Sequence, residues 1–239
     1  MAKYKNERRL KRQMQQRRNM FIAVLGVAVL MVLIITLPAL IEASQPVGEI
    51  KMITPVVRPL SDGRTMGNPD APVTIDVFED FQCSACATYT FEIEKRIIDE
   101  LIPAGNVYYV FHQYPFLDDR STAKESDQAA NASMCALEQG RFWDYHDMLY
   151  ANQSGENVSA YSDKRLVAFA EALNLDKKAF ETCLDESRYQ AEIDQDLEKG
   201  AALGVTGTPS VFVNGVQIMP GYVPSFESIK EAVDAALAN

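Results

Sequence analysis

The chain has 239 residues and a formal net charge of -10. The charge is uneven: residues 1–19 hold eight Lys/Arg and one acid, leaving 15 Lys/Arg and 32 Asp/Glu for the remainder. So acidic a body excludes nucleic acid and anionic membrane surfaces as ligands, and the basic tail has a sufficient role as a topology signal. In chain order, the tail (1–19) is followed by Met20–Ile41, 22 residues without a charge. As a helix these span about 33 Å, enough to cross a hydrocarbon core. The basic flank predicts a cytoplasmic N-terminus and a single-pass anchor, with everything after Glu42 outside. A cleaved signal peptide is the rival, but its apolar core is usually about 7–15 residues, and Ile41-Glu42-Ala43 is a poor cleavage site. Either way the cysteines lie outside the cytoplasm, where disulfides persist.

Residues 42–64 read as a linker in which Ile50–Val57, interrupted by Pro55, is an edge strand at best. Gly67-Asn68-Pro69-Asp70-Ala71-Pro72 is a turn cluster. Val73–Phe78 then reads as a buried strand and Ala87–Ile102 as a helix, with Ala87, Phe91, Ile97, Ile98 and Leu101 on its apolar face. Pro103-Ala104-Gly105-Asn106 breaks the pattern before a second strand, Val107–His112. Strand, helix, strand predicts a parallel βαβ unit. About 118–203 shows no convincing strand. Five helical segments follow one another there: Ser121–Gln139, Arg141–Ala151, Asp163–Leu173, Asp176–Asp185 and Arg188–Leu203. The chain returns to strand at Ser210–Val213 and Val216–Met219, joined by Asn214-Gly215, a strong hairpin signal. A final amphipathic helix covers Pro224–Leu237. There is no internal repeat and no low-complexity tract. The architecture is α/β, with a helical insert dividing a small sheet domain (65–239).

Asp80-Phe81-Gln82-Cys83-Ser84-Ala85-Cys86 lies where the first strand turns into the helix. Free amides and the dipole of a helix N-terminus stabilise an anion, so Cys83 is expected to be a stabilised thiolate. Cys86, one turn on, can close a small disulfide. An attacking thiolate beside a resolving thiol is a dithiol–disulfide exchange device. Zinc is the competing use of Cys-x-x-Cys, but it needs two further ligands, usually a second close pair. The remaining cysteines, Cys135 and Cys183, and the histidines, His112 and His146, offer none. A purely structural bridge across two residues is strained. Later, Val205-Thr206-Gly207-Thr208-Pro209 enters the hairpin, and a proline there has no N–H to give to a ladder; such a proline is sometimes cis.

Together these motifs resemble the thioredoxin fold, and the helical insert resembles its DsbA-like branch. The matching phrases are Gly67-Asn68-Pro69-Asp70-Ala71-Pro72-Val73, Asp80-Phe81-Gln82-Cys83, Glu138-Gln139-Gly140-Arg141-Phe142-Trp143 and Gly204-Val205-Thr206-Gly207-Thr208-Pro209, covering about 65 to the end. The resemblance implies that Cys83 attacks, that Cys86 resolves, that Pro209 is the cis-proline beside the disulfide, and that Thr208 binds substrate backbone and tunes reactivity. It implies an oxidoreductase that introduces disulfides into unfolded exported proteins and is reoxidised by a quinone-linked membrane thiol oxidase. The two sulfurs carry the electrons, so no cofactor or metal is called for. Two departures matter. Ser84-Ala85 lacks the histidine of strong oxidants, and Val77 stands where some members place a buried acid. Glu79 and Asp80 are nearby but expected to be solvated, as turn carboxylates usually are.

Cys135 and Cys183 fall in the first and fourth insert helices, where two leftover cysteines outside the cytoplasm are expected to pair; two separate buried thiols are the alternative. The resemblance also allows a structural disulfide there. His112 is expected as a satisfied strand-end residue, and Phe142, Trp143, Tyr145 and His146 as core. No dimerisation module is evident, so a monomer is expected. The rival functions are the same fold run as a reductase or isomerase, and a non-redox peptide-binding chaperone using the groove at Pro209.

Overall fold

The computed structural model describes residues 2–44, 46–120, 122 and 124–238, with side chains in 2–13, 16, 39–40, 42–44 and 119–120 left out. The basic side chains Lys3, Lys5, Arg8, Arg9, Lys11 and Arg12, and the insert start at Ser121, therefore lie outside the described residues. The chain divides into two units, Met1–Pro46 and Val47–Asn239. The first is a single helix, α1 (Ala2–Ser44), whose Arg17–Pro38 stretch is long and apolar enough to cross a membrane.

The second unit is built on a five-stranded sheet of order β1-β3-β2-β4-β5. The strands are β1 (Thr65–Gly67), β2 (Val73–Glu79), β3 (Val107–Gln113), β4 (Ser210–Val213) and β5 (Val216–Ile218). β2 and β3 run parallel, and every other pair is antiparallel. The β-branched and aromatic runs read as strands are the central ones, because both of their faces are covered. Val73, Ile75 and Val77 face the main core, whereas Phe78 meets Tyr114, Val205 and Phe212 on the other side. The expected edge strand at Ile50–Val57 does not form, and β1 takes the edge instead. Its Gly67 (φ +90°) runs so close to β3 that a Cβ would lie 2.2 Å from the Val107 carbonyl oxygen.

The residues expected to be a linker lie against the domain. Lys51 exchanges backbone hydrogen bonds with the Asn152 side chain, at 2.8 and 2.9 Å. Ile50 and Ile53 pack on the core, and Arg165 donates to the Val47 carbonyl. With its backbone partnered by side chains and Pro55 lacking a donor, this stretch cannot join a ladder.

Helix α2 (Ser84–Thr88) continues through π-helical turns at Tyr89–Glu94 and Ile97–Leu101. The wider turns shift its buried stripe. Glu94 goes into the core while Phe91, expected on the apolar face, is 49 % exposed. The insert holds α3 (Glu125–Leu137), α4 (Phe142–Ala151), α5 (Asp163–Ala172), α6 (Lys177–Asp185) and α7 (Gln190–Ala202). α3 packs on the other four. It is joined to α6 by the Cys135–Cys183 disulfide (S–S 2.04 Å), both sulfurs being buried. α7 returns across the sheet at Gly200, where a Cβ would sit 2.5 Å from the Tyr114 ring. α8 (Phe226–Leu237), capped by Ser225, closes the domain on β2, β4 and β5.

Candidate active site

Cys83 is the N-cap of α2, with extended backbone (φ -74°, ψ 118°), and its carbonyl accepts from the amides of Cys86 (3.1 Å) and Ala87 (3.2 Å). Cys83 is half-buried and Cys86 wholly buried, both as free thiols. The Thr208–Pro209 peptide is cis, and the Cys83 Sγ–H donates to the Thr208 carbonyl at 3.3 Å. The two sequence motifs, 125 residues apart, therefore meet at the Cys83 sulfur. A cavity of about 290 Å³ beside them is lined by Ala85, Thr206–Ser210 and Gly221–Val223. Tyr222 stands 74 % exposed at its rim.

The two thiols are electrostatically unlike. A hydrogen bond from the Cys86 thiol is the main influence on Cys83, with help from Thr208 and the amides of Cys86 and Ala85. Against the opposing effect of burial, these bring Cys83 down to about 6. Among the described residues the Thr208 hydroxyl has no partner in this dithiol state. Burial pushes Cys86 well above the ordinary thiol range, and the bond it gives Cys83 and the charge of Glu79 push the same way. The helix amides thus contribute as the sequence leads one to expect, but the neighbouring thiol contributes more.

Glu79 and Asp80 correct the expectation of solvated turn carboxylates: both are buried. Asp80 knots the active-site turn to the insert. Its Oδ1 accepts from the Gln82 amide (2.8 Å) and Ser126 Oγ (2.7 Å), and its Oδ2 from the Leu117 amide (3.1 Å). Burial raises it to about 7 despite these bonds. Gln82 reaches Ser126, Asp118 and the Asn157 amide. Phe81 packs among Phe111, His146 and Tyr150. Glu79 Oε2 accepts from Tyr150 at 2.8 Å, and burial, then the nearby Glu94, hold its carboxyl well above the usual range.

Sequence reasoning also missed Arg58, Glu94 and Asp147. Arg58, buried in the supposed linker, donates to Asp147 Oδ1 (2.7 Å) and Oδ2 (3.0 Å) and to Glu94 Oε1 (2.9 Å). The only signal was that Glu94 stands eight residues after Cys86, on the same helical stripe. His112 is satisfied at its strand end, bonded to Asp76 (2.7 Å) and Asp196 (3.0 Å). Trp143, Tyr145 and His146 are core.

A sheet with helices on both faces, an insert of five helices, and a dithiol at a helix N-terminus facing a cis-proline define a thioredoxin-fold protein of the DsbA-like type. The thioredoxin family model matches residues 60–235, and the chain belongs to that family. A probable disulfide bond formation protein D of Bacillus cereus is 30 % identical over 181 residues, covering 74 % of this chain and 80 % of that protein. Among solved structures, oxidised BdbD of Bacillus subtilis aligns with TM-score 0.66 at 23 % identity, over 76 % of this chain and 96 % of that one. MdbA of Corynebacterium diphtheriae, a thiol-disulfide oxidoreductase, aligns with TM-score 0.57 at 20 % identity, over 74 % and 91 %.

Proposed function

We propose that the chain introduces disulfides into exported proteins through the Cys83–Cys86 pair. It is a protein-disulfide oxidoreductase acting outside the cytoplasm. The observation that carries this reading is the asymmetry of the two sulfurs: the accessible one ionises below neutrality and the buried one resists ionisation. A substrate thiolate attacks Cys83 Sγ of the oxidised pair, and the S–S bond breaks toward Cys86, which takes up a proton. A second substrate thiolate then attacks the substrate sulfur of the mixed disulfide, and Cys83 leaves as the stabilised thiolate. The pair has gained two electrons. A low pKa at Cys83 favours this last step, because a lower-pKa thiol leaves faster.

The cis Thr208–Pro209 loop and the cavity beside it offer the place for an extended substrate segment. The Cys135–Cys183 disulfide acts as a structural brace of the insert. The apolar helix of the first unit fits a single-pass anchor, holding the domain near a quinone-linked membrane thiol oxidase that removes the two electrons. The chain works as a monomer without a cofactor. The test is the reduction potential of the pair in the detergent-solubilised full chain, equilibrated with glutathione buffers. A value between about -120 and -180 mV supports an oxidase; one near -270 mV would make the chain a thioredoxin-like reductant.

A further inference from the structure

Behind the dithiol lies a second constellation that the redox reaction does not use. Glu79, Glu94 and His146 are each wholly buried and offer one ligand atom apiece, all within 4.8 Å of one another. Among the described residues, Glu79 Oε1 and His146 Nε2 have no hydrogen-bond partner. Bare polar atoms on two members of one buried cluster are costly unless something joins them.

The other side-chain polar atoms of the three residues, both oxygens of Glu94 among them, are all engaged. His146 Nδ1 is bonded to Asp147 Oδ1 at 2.9 Å. Tyr150 holds Glu79 Oε2, while Arg58 and Tyr109 (3.0 Å) hold the two oxygens of Glu94. A carboxylate on the far nitrogen of an imidazole, and hydrogen bonds on the outer oxygens of carboxylates, are what orient ligands toward a metal. The charges agree with this. Three carboxylates, of Glu79, Glu94 and Asp147, surround one guanidinium, and a single divalent cation makes the ionised cluster neutral. Two oxygens and one imidazole nitrogen suit zinc, with one position left for water. A cavity of about 300 Å³, lined in part by Arg58, Thr90, Glu94 and Asp147, borders the cluster on its Glu94 side.

We propose that Glu79, Glu94 and His146 form a divalent-cation site of the zinc class, separate from the Cys83–Cys86 pair. The separation is what the experiment must establish, because a reduced Cys-x-x-Cys can bind zinc by itself. The detergent-solubilised full chain is stripped with chelator, divided into oxidised and reduced samples, and titrated with zinc sulfate. Bound zinc per chain and Tm are read. The site predicts one zinc per chain in the oxidised protein, where the redox sulfurs are not available. It also predicts a Tm rise of about 5–10 °C at a hundredfold excess over Kd. The near-isosteric Glu79→Gln weakens zinc binding at least about tenfold. Zinc bound only by the reduced chain and lost in Cys83→Ser overturns the proposal, as does an oxidised chain that binds none. Binding indifferent to Glu79→Gln overturns it equally. The wild-type comparison of oxidised with reduced protein decides the matter even if that variant does not fold. In that comparison, cobalt bound to the oxidised chain must show tetrahedral absorption without a thiolate charge-transfer band.

Discussion

Replacing Cys86 with alanine asks what holds the charge on Cys83. The thiol of Cys86 is the largest support of the Cys83 thiolate, which ionises near 6. A hydrogen bond to a charged group contributes about 1.5–3 kcal/mol, and one pKa unit is about 1.4 kcal/mol. Taking the weak sulfur donor at the low end, Cys86→Ala raises Cys83 by about one unit, to about 7. At pH 6 the ionised fraction then falls from about half to about a tenth. The more basic thiolate is a better nucleophile by about threefold, from a Brønsted slope near 0.45. The net expectation is a Cys83 that alkylates with iodoacetamide about twofold more slowly at pH 6 and about threefold faster at pH 9. The two pH–rate curves therefore cross. Cys86→Ser keeps an O–H donor and should lie near the parent at pH 6, judged against a parent profile taken on the reduced dithiol. Coincident profiles for the parent and Cys86→Ala would refute this reasoning and place the support in Thr208 and the amides of Cys86 and Ala85.

In the oxidised protein, where Cys83 does not titrate, Asp80 should make stability fall as pH rises. Its folded pKa of about 7 lies above the usual aspartate value, so its favourable contribution is full below about pH 4 and is lost through pH 7. Asp76, Asp147 and Asp196 are held below the usual range, bonds from His112, His146, Arg58 and Lys199 or the charge of Arg64 outweighing burial. Their contributions are lost below about pH 4. Thermal unfolding of the full chain should accordingly peak between about pH 4 and 6; a Tm that climbs steadily to pH 8 would contradict the Asp80 assignment, and one that does not fall below about pH 4 the other three. Asp80→Asn must turn an NH₂ toward the Gln82 or Leu117 amide, or toward Ser126, and should cost about 1–3 kcal/mol by denaturant unfolding. Gly200→Ala drives a methyl into Tyr114 and should cost about 1–3 kcal/mol, with an unchanged Cys83 pKa. Removing both Cys135 and Cys183 opens a loop with a sequence separation of 48 and should cost up to about 4 kcal/mol.

What could be read from the residues was what is local. The two central strands, the five insert helices and the hairpin announce themselves through periodicity and Asn214-Gly215. The Cys-x-x-Cys position follows from the strand that precedes it. What could not be read depended on distant segments closing over one another. Glu79 and Asp80 look like ordinary turn acids until Leu117, Ser126 and Tyr150 of the insert arrive to bury them. Arg58 looks like a solvated charge in a linker until Asp147 and Glu94 take it. The edge went to the three residues Thr65–Gly67 and not to the more strand-like Ile50–Val57, because Asn152 takes the backbone of Lys51 and Pro55 has no donor for a ladder. π-helical turns after Thr88 shifted the apolar face that a regular 3.6-residue period predicts for Phe91.

The bridge between α3 and α6 turns the chain back on its own chemistry. Its sulfurs are sealed in a core of side chains, 1 % and 0 % exposed. No external oxidant reaches them once the helices have docked, so the bond must be made on the nascent, still open chain. Burial therefore sets an order of events, oxidation of this pair first and closure of the insert core over it second, and the finished brace is shielded from the exchange chemistry at the surface of the same molecule.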